Sequence, residues 1–190
     1  MRIENSFEVD APPERAWALL MDVPRVIPCM PGAELTETVD DSNWKAKVGV
    51  RLGPISLTFN SDVERTEADE SARRATLKAT AREARGRGNA QATIQSSLAA
   101  ANGGTKVDIA TDLVLSGAVA QYGRGIVQDV ATQLVSRFAD CLQKQLEVPA
   151  ADGSAPAAPP EVKPVSGLSL GVRAIASSLR RGLRRLVRRA

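Results

Sequence analysis

Hydrophobic positions change their period along the chain, and each change marks a new element. Residues 2 to 9 alternate well enough for a strand. Asp10-Ala11-Pro12-Pro13 then opens a helix, because proline is tolerated in a first turn whose N–H groups lack partners anyway. Ala16, Trp17, Leu20 and Met21 recur at helical spacing and give that helix one core face. Pro24, Pro28 and Pro31-Gly32 break the next stretch into a turn-rich segment. From Ala33 to about Ser116 the period is two. Trp44 to Arg51 and Ile55 to Arg65 predict neighbouring strands joined at Leu52-Gly53-Pro54. Ala75, Leu77, Ala79 and Ala81 alternate with Arg74, Thr76, Lys78, Thr80 and Arg82. Gly86-Arg87-Gly88 turns the chain, and Ala90, Ala92, Ile94, Ser96 and Leu98 form the next inner face. Asn102-Gly103-Gly104 is a hairpin signal before Val107, Ile109, Thr111, Leu113 and Leu115.

After Gly117 the period lengthens again. Val119, Tyr122, Ile126, Val127, Val130, Leu134, Phe138 and Cys141 fall on one stripe of a helix reaching about Glu147, roughly 45 Å long at ~1.5 Å per residue. The predicted class is α+β: an antiparallel sheet with one wet face, its other face gripped by a long C-terminal helix.

The strand faces that meet this helix are unusually light. Ala75, Ala79, Ala81, Ala90, Ala92 and Ser96 stand where a dense core prefers larger side chains. Either the helix sits close to the sheet, or the two enclose an apolar pocket suited to an elongated hydrophobic ligand. In the second case the expected lining is Trp17, Leu77, Ala79, Ala92, Ile94 and Ile109 from the early helix and the sheet. Leu113 and, from the last helix, Tyr122, Ile126, Val130 and Leu134 complete it.

The 190 residues include no histidine, which removes Ser-His-Asp and Cys-His catalysis and any His-ligated metal centre. No metal site is expected. Cys29 and Cys141 are far apart and form no Cys-x-x-Cys, so they read as lone, small buried hydrophobes compatible with a reducing cytoplasm. Gly123-Arg124-Gly125 lacks the third glycine and the strand–turn–helix setting of a dinucleotide fingerprint. The opening Met1-Arg2-Ile3-Glu4-Asn5 has no apolar run behind it, so no signal peptide is expected. No stretch approaches the ~18 apolar residues of a membrane span.

Charge divides the chain unevenly. From Val148 onward eight basic residues face two acidic ones, whereas residues 1–147 carry 17 basic and 20 acidic groups. Residues 148–165 hold five prolines among Ala, Gly and Ser, the composition of an extended linker. Over 166–190, Leu168, Val172, Ile175, Leu179, Leu183 and Leu186 step along one side of a helix. Arg173, Arg180, Arg181, Arg184, Arg185, Arg188 and Arg189 supply the basic side. A leucine stripe opposite arginines is the pattern of a helix lying in an anionic membrane surface; nucleic-acid binding needs the charges but not the stripe.

Three stretches resemble a known family. Ala11-Pro12-Pro13-Glu14-Arg15-Ala16-Trp17 with Cys29-Met30-Pro31-Gly32-Ala33 is similar to the opening of the CoxG-like family, the G-subunit family of carbon monoxide dehydrogenase, within the START-like polyketide cyclase and lipid-transport superfamily. Val48-Gly49-Val50-Arg51-Leu52-Gly53-Pro54 through Phe59, and Leu115-Ser116-Gly117 through Gln121-Tyr122-Gly123-Arg124, resemble its other signatures. The matching positions are Cys29, Pro31, Gly32, Gly53, Pro54, Gln121, Tyr122 and Gly123. The resemblance covers residues 1–147 and implies a helix-grip fold with a deep pocket under the last helix. It implies a non-enzymatic accessory role at a molybdenum-containing carbon monoxide dehydrogenase or related hydroxylase, attached to the inner face of the cytoplasmic membrane. No cofactor is required, and the pocket holds a quinone or other lipid-like molecule. Two rival readings use the same pocket: a free lipid or quinone carrier, and a cyclase or hydrolase with a buried carboxylate beside Tyr122.

Overall fold

The computed structural model describes residues 1–52 and 55–147. Gly53 and Pro54, the linker and the basic tail all lie outside the described residues, as do the tail positions Leu168 to Arg189. Seven strands form one antiparallel sheet: β1 (Arg2–Val9), β2 (Ala33–Thr38), β3 (Asn43–Leu52), β4 (Ile55–Asp69), β5 (Arg74–Glu83), β6 (Gly88–Ala101) and β7 (Gly104–Gly117). Their order across the sheet is β1-β7-β6-β5-β4-β3-β2, so β1 and β2 are the edges. The first strand thus closes onto the last one, Ile3 opposite Thr111 and Val9 opposite Thr105. Among the described residues, three α-helices complete the fold: α1 (Pro13–Met21), the short α2 (Val23–Val26) and α3 (Arg124–Glu147). None of the described helices is long and apolar enough to cross a membrane.

The last helix is shorter than its hydrophobic stripe predicts. Residues 118–121 form a separate 3₁₀ turn, Tyr122 is extended (φ −68°, ψ 122°), and α3 begins at Arg124. The Gly123 carbonyl accepts from the N–H groups of Ile126 and Val127, so the start of α3 coincides with a glycine that weakens helix continuation. Val119 and Tyr122 therefore belong to the connection rather than to the helix. Strand β4 runs past Arg65 to Asp69, because a bulge between Arg65 and Glu67 lets pairing with β5 resume.

Packing is uneven along α3. Phe138, Leu142 and Leu146 are buried against Trp17 and Leu19 of α1, Ala75, Leu98 and Val107 of the sheet, and Val9. Phe7 meets Phe138 edge to face at 6.2 Å. Each of the three α3 side chains contributes roughly 1.5–3 kcal/mol by leaving water. Polar contacts reinforce this half: the Arg15 guanidinium donates to the Leu146 carbonyl (2.8 Å), and the Asp10 N–H donates to Gln143 Oε1 (2.8 Å). Arg15 thereby satisfies one of the carbonyls that a helix end leaves without a partner.

The turn between β5 and β6 is closed by a carboxylate. Glu83 is only 5% exposed, and its Oε2 accepts from the N–H groups of Arg85 and Arg87. Burial alone would raise its pKa, but those two N–H groups and the Arg87 charge outweigh burial and hold it below the usual glutamate value.

The cysteines are not lone thiols. Cys29 and Cys141 are joined by a disulfide, with Cα atoms 5.3 Å apart across a sequence separation of 112. Residue spacing could not reveal this, because the pairing is made by the fold: α3 crosses the sheet and returns to the segment after α2. The expectation that Cys29 is buried does hold, at 3% exposure. A cross-link closing so long a loop restricts the unfolded chain strongly. Reduction is expected to lower stability by about 2–4 kcal/mol, read as a lower urea midpoint with reductant present. The Cys29→Ala/Cys141→Ala variant should show a comparable loss and no further response to reductant; equal midpoints in all four conditions would refute the role assigned to the bond.

Candidate functional site

Beyond Phe138, towards its N-terminus, α3 no longer rests on a filled core. Between this half of the helix and the sheet lies a cavity of about 320 Å³, within the usual range of ligand pockets. The floor is built from β3–β7 and β1: Val48 and Val50, Leu57 and Phe59, Ala81, Ala90, and Leu113 with Leu115. The roof is Val127, Val130, Ala131, Leu134 and Val135, one face of α3 at helical spacing. Register explains the floor: Ala81 stands opposite Ala90, and Ala90 opposite Leu115, so two alanines lie side by side across adjacent strands. Small side chains at that position leave the space that the roof does not fill.

Polar atoms on the wall are few. Asn5, Ser61 and Thr111 are the polar side chains lining it, and no titratable group lines it among the described residues. Asn5 Oδ1 accepts from the Thr132 hydroxyl at 3.4 Å, a long contact that joins β1 to the roof helix. An apolar hollow of this kind stays dry or takes an apolar guest.

The expected pocket residues divide into three groups. Leu113, Val130 and Leu134 lie on the cavity wall. Leu77, Ala79, Ala92, Ile94 and Ile109 share the inward face by register, with Leu77 opposite Ile94 and Ala79 opposite Ala92, but they do not line the cavity. Ile109 packs instead against the core around Phe138. Trp17 is buried in that core, on the α1 side. Ile126 points away, 48% exposed, because α3 begins later than its stripe predicts. Tyr122 packs with Leu57, Phe59 and Val119 at the end of the cavity, without lining it. Gln121 and Gly123 are exposed.

Sequence reasoning passed over the contributions of β3 and β4. Val48 and Val50, then Leu57, Phe59 and Ser61, alternate at period two, and that alternation is the signal that could have found them. It is diluted by Lys47, Gly49 and Arg51 around it, whereas the alanine strands repeat more regularly.

Pro31-Gly32 has a specific geometric task. Gly32 sits at φ +78°, a Cβ there would lie 2.3 Å from the Gly49 carbonyl oxygen, and the Gly49 N–H donates to the Gly32 carbonyl at 2.7 Å. Pairing of β2 with β3 ends at these glycines, Gly49 lying between the wall residues Val48 and Val50.

The model of the family described as CoxG, the carbon monoxide dehydrogenase G subunit, matches residues 6–147. No curated protein matches the chain by sequence. Among solved structures, a conserved protein from Geobacillus kaustophilus is similar with a TM-score of 0.69 at 22% identity, covering 77% of this chain and 95% of that one. The ZhuI aromatase/cyclase from Streptomyces sp. R1128 is similar with a TM-score of 0.57 at 15% identity, over 81% of this chain and 99% of its own. A START superfamily protein from Mycobacterium smegmatis gives 0.52 at 15% identity, over 77% and 97%. At these identities the likenesses speak for the fold, an antiparallel sheet gripped by a C-terminal helix, and the family model speaks for descent. Since that model spans nearly the whole sheet and the helix over it, the chain belongs to the CoxG family of carbon monoxide dehydrogenase G subunits.

Proposed function

We propose that this chain is a non-enzymatic accessory protein of a molybdenum-containing carbon monoxide dehydrogenase or related hydroxylase. It holds an apolar molecule, a quinone in our reading, under α3 and brings the enzyme to the inner face of the cytoplasmic membrane. The observation that carries the proposal is the cavity: apolar, roofed by one helix and free of titratable groups among the described residues, in a chain of the CoxG family. General acid–base chemistry needs a group that can take or give a proton near the operating pH, and this wall offers none among the described residues. Glu83, the one buried carboxylate among the described residues, does not line the cavity either. Its oxygen is held by the N–H groups of its own turn.

Membrane recruitment rests on residues 166–190. A surplus of arginine opposite a leucine stripe would gain about 1 kcal/mol per Arg near anionic lipid, with further gain from each buried Leu. The linker of residues 148–165 would let the body stay with its enzyme while the tail holds lipid.

Three outcomes test this proposal. Full-length protein should carry the hydroxylase into the pellet with vesicles containing anionic phospholipid, and protein ending at Glu147 should leave it in the supernatant; equal sedimentation at low salt would remove the tail's role. Native mass spectrometry of gently purified protein should show a quinone-sized adduct that is absent from Ala81→Phe, whose ring fills the floor of the cavity; an adduct retained in that variant would place the ligand elsewhere. In cells quenched with acid and alkylated after denaturation, Cys29 and Cys141 should both label, as a reducing cytoplasm requires of a pair that oxidises on isolation. Protection of both in freshly quenched cells would put the protein in an oxidising compartment and overturn the proposed location.

A further inference from the structure

A groove of about 550 Å³ runs between β3 and α3, beside the cavity. Val50, Val130 and Leu134 line both, so the same three side chains form the cavity wall and the groove floor. The groove differs in its polar residues. It carries Arg51, Arg137 and Gln133, and no carboxylate lines it.

Elsewhere in the body, several arginines are already occupied. Arg2 pairs with Glu4 and Asp112, Arg73 with Glu14, Arg15 is held by the Leu146 carbonyl, and Arg65 by the carbonyls of Met21 and Asp41. Arg51 and Arg137, like several other arginines of the body, make no ion pair or side-chain hydrogen bond among the described residues, and both are exposed. Gln133, one turn before Arg137, is likewise exposed. The backbone adds to this. Pairing of β2 with β3 ends at Ala33 opposite Val48, and the Gly49 N–H turns outward to the Gly32 carbonyl. By strand alternation the Arg51 N–H faces the same side, past the end of β2.

We propose that this groove is the head-group subsite of the cavity's ligand. The ligand is an amphiphile whose apolar part lies under α3. Its head presents acceptor oxygens, the carbonyls of a quinone or the carboxylate of a long-chain acid, to Arg51 and Arg137. Arginine carries donors and no acceptor, so a head rich in oxygen lone pairs fits this groove and a cationic head does not. Val50, Val130 and Leu134 connect the two parts of the site. The inference rests on the reading of the cavity as a ligand site, and its test separates the two.

The test uses full-length protein and the Arg51→Met/Arg137→Met double variant; both positions are exposed and outside the core around Phe138. Three probes are titrated: N-phenylnaphthylamine, which is apolar and has no oxygen, a decyl-tailed benzoquinone, and dodecanoate. N-phenylnaphthylamine should bind both proteins equally. The double variant should weaken an oxygen-headed probe by about tenfold, the scale of losing a hydrogen bond from a charged donor. Weakening of dodecanoate that fades with salt identifies a carboxylate head; weakening of the quinone alone identifies carbonyls. Equal affinity of wild type and variant for both headed probes, with N-phenylnaphthylamine still bound, would overturn the subsite and leave the cavity standing. Failure of all three probes to bind wild type would overturn the cavity reading and this inference with it.

Discussion

Anchoring of α3 over only its C-terminal half is the constraint on which the remainder of the structure depends. Phe138, Leu142 and Leu146 are buried, Cys141 is bonded to Cys29, and Gln143 and Arg15 fix the backbone at that end. Those interactions fix the direction of the helix. Because a helix is stiff, its N-terminal half is held over the sheet without needing a filled core beneath it. The hollow under Val127 to Val135 is therefore sustained by packing several turns away. A fold that gripped the helix along its whole length would have to fill the space to native density.

The sheet makes the hollow tolerable in a second way. Most of the floor lies in strands that are paired on both sides, β5, β6 and β7 among them, so most of the backbone groups beside the cavity already have partners. What remains on the wall is almost wholly hydrocarbon, and an apolar void costs lost contacts rather than stranded hydrogen bonds. The opposed pair Ala81 and Ala90 sets the depth. One larger residue at either position would shift the balance from pocket to core.

Much of this was legible in the sequence, for identifiable reasons. The alternation through Ala75, Ala79, Ala90 and Ala92 fixed the inward face, and the register places those residues on it as the period demands. The deficit of volume on that face was also visible, and the cavity lies there. Its position along the face was not, because that depends on where α3 begins. The stripe through Val119, Tyr122 and Ile126 continues the helical period, but Gly123 and the extended Tyr122 interrupt the backbone, which periodicity of side chains cannot report. The Cys29–Cys141 bond was hidden for a different reason. It joins residues separated by nearly the whole body, and only the path of α3 back to the segment after α2 brings them together. The residue types of Pro31-Gly32 already pointed to a turn, and the close approach of Gly32 to Gly49 gives that turn its reason.

The flank on which groove and cavity meet is the one where α3 is less tied to the sheet. Towards β1 the helix is tied repeatedly: Thr132 reaches Asn5, Phe138 meets Phe7, and Gln143 holds the Asp10 N–H just beyond the strand. Towards β3 no side-chain hydrogen bond joins helix and strand among the described residues, and β2 stops short at Val48. A helix fastened along one flank and at one end leaves its other flank less tied. On that flank the wall changes from valine and leucine to arginine and glutamine within a single turn of α3 and a single step of β3. Charged and hydrocarbon surroundings therefore meet over a short distance, where groove and cavity share Val50, Val130 and Leu134. Chain asymmetry thus becomes asymmetry of the site: the tight end of α3 keeps the fold, the loose end leaves room, and Arg51 and Arg137, without side-chain partners among the described residues, mark the boundary between them.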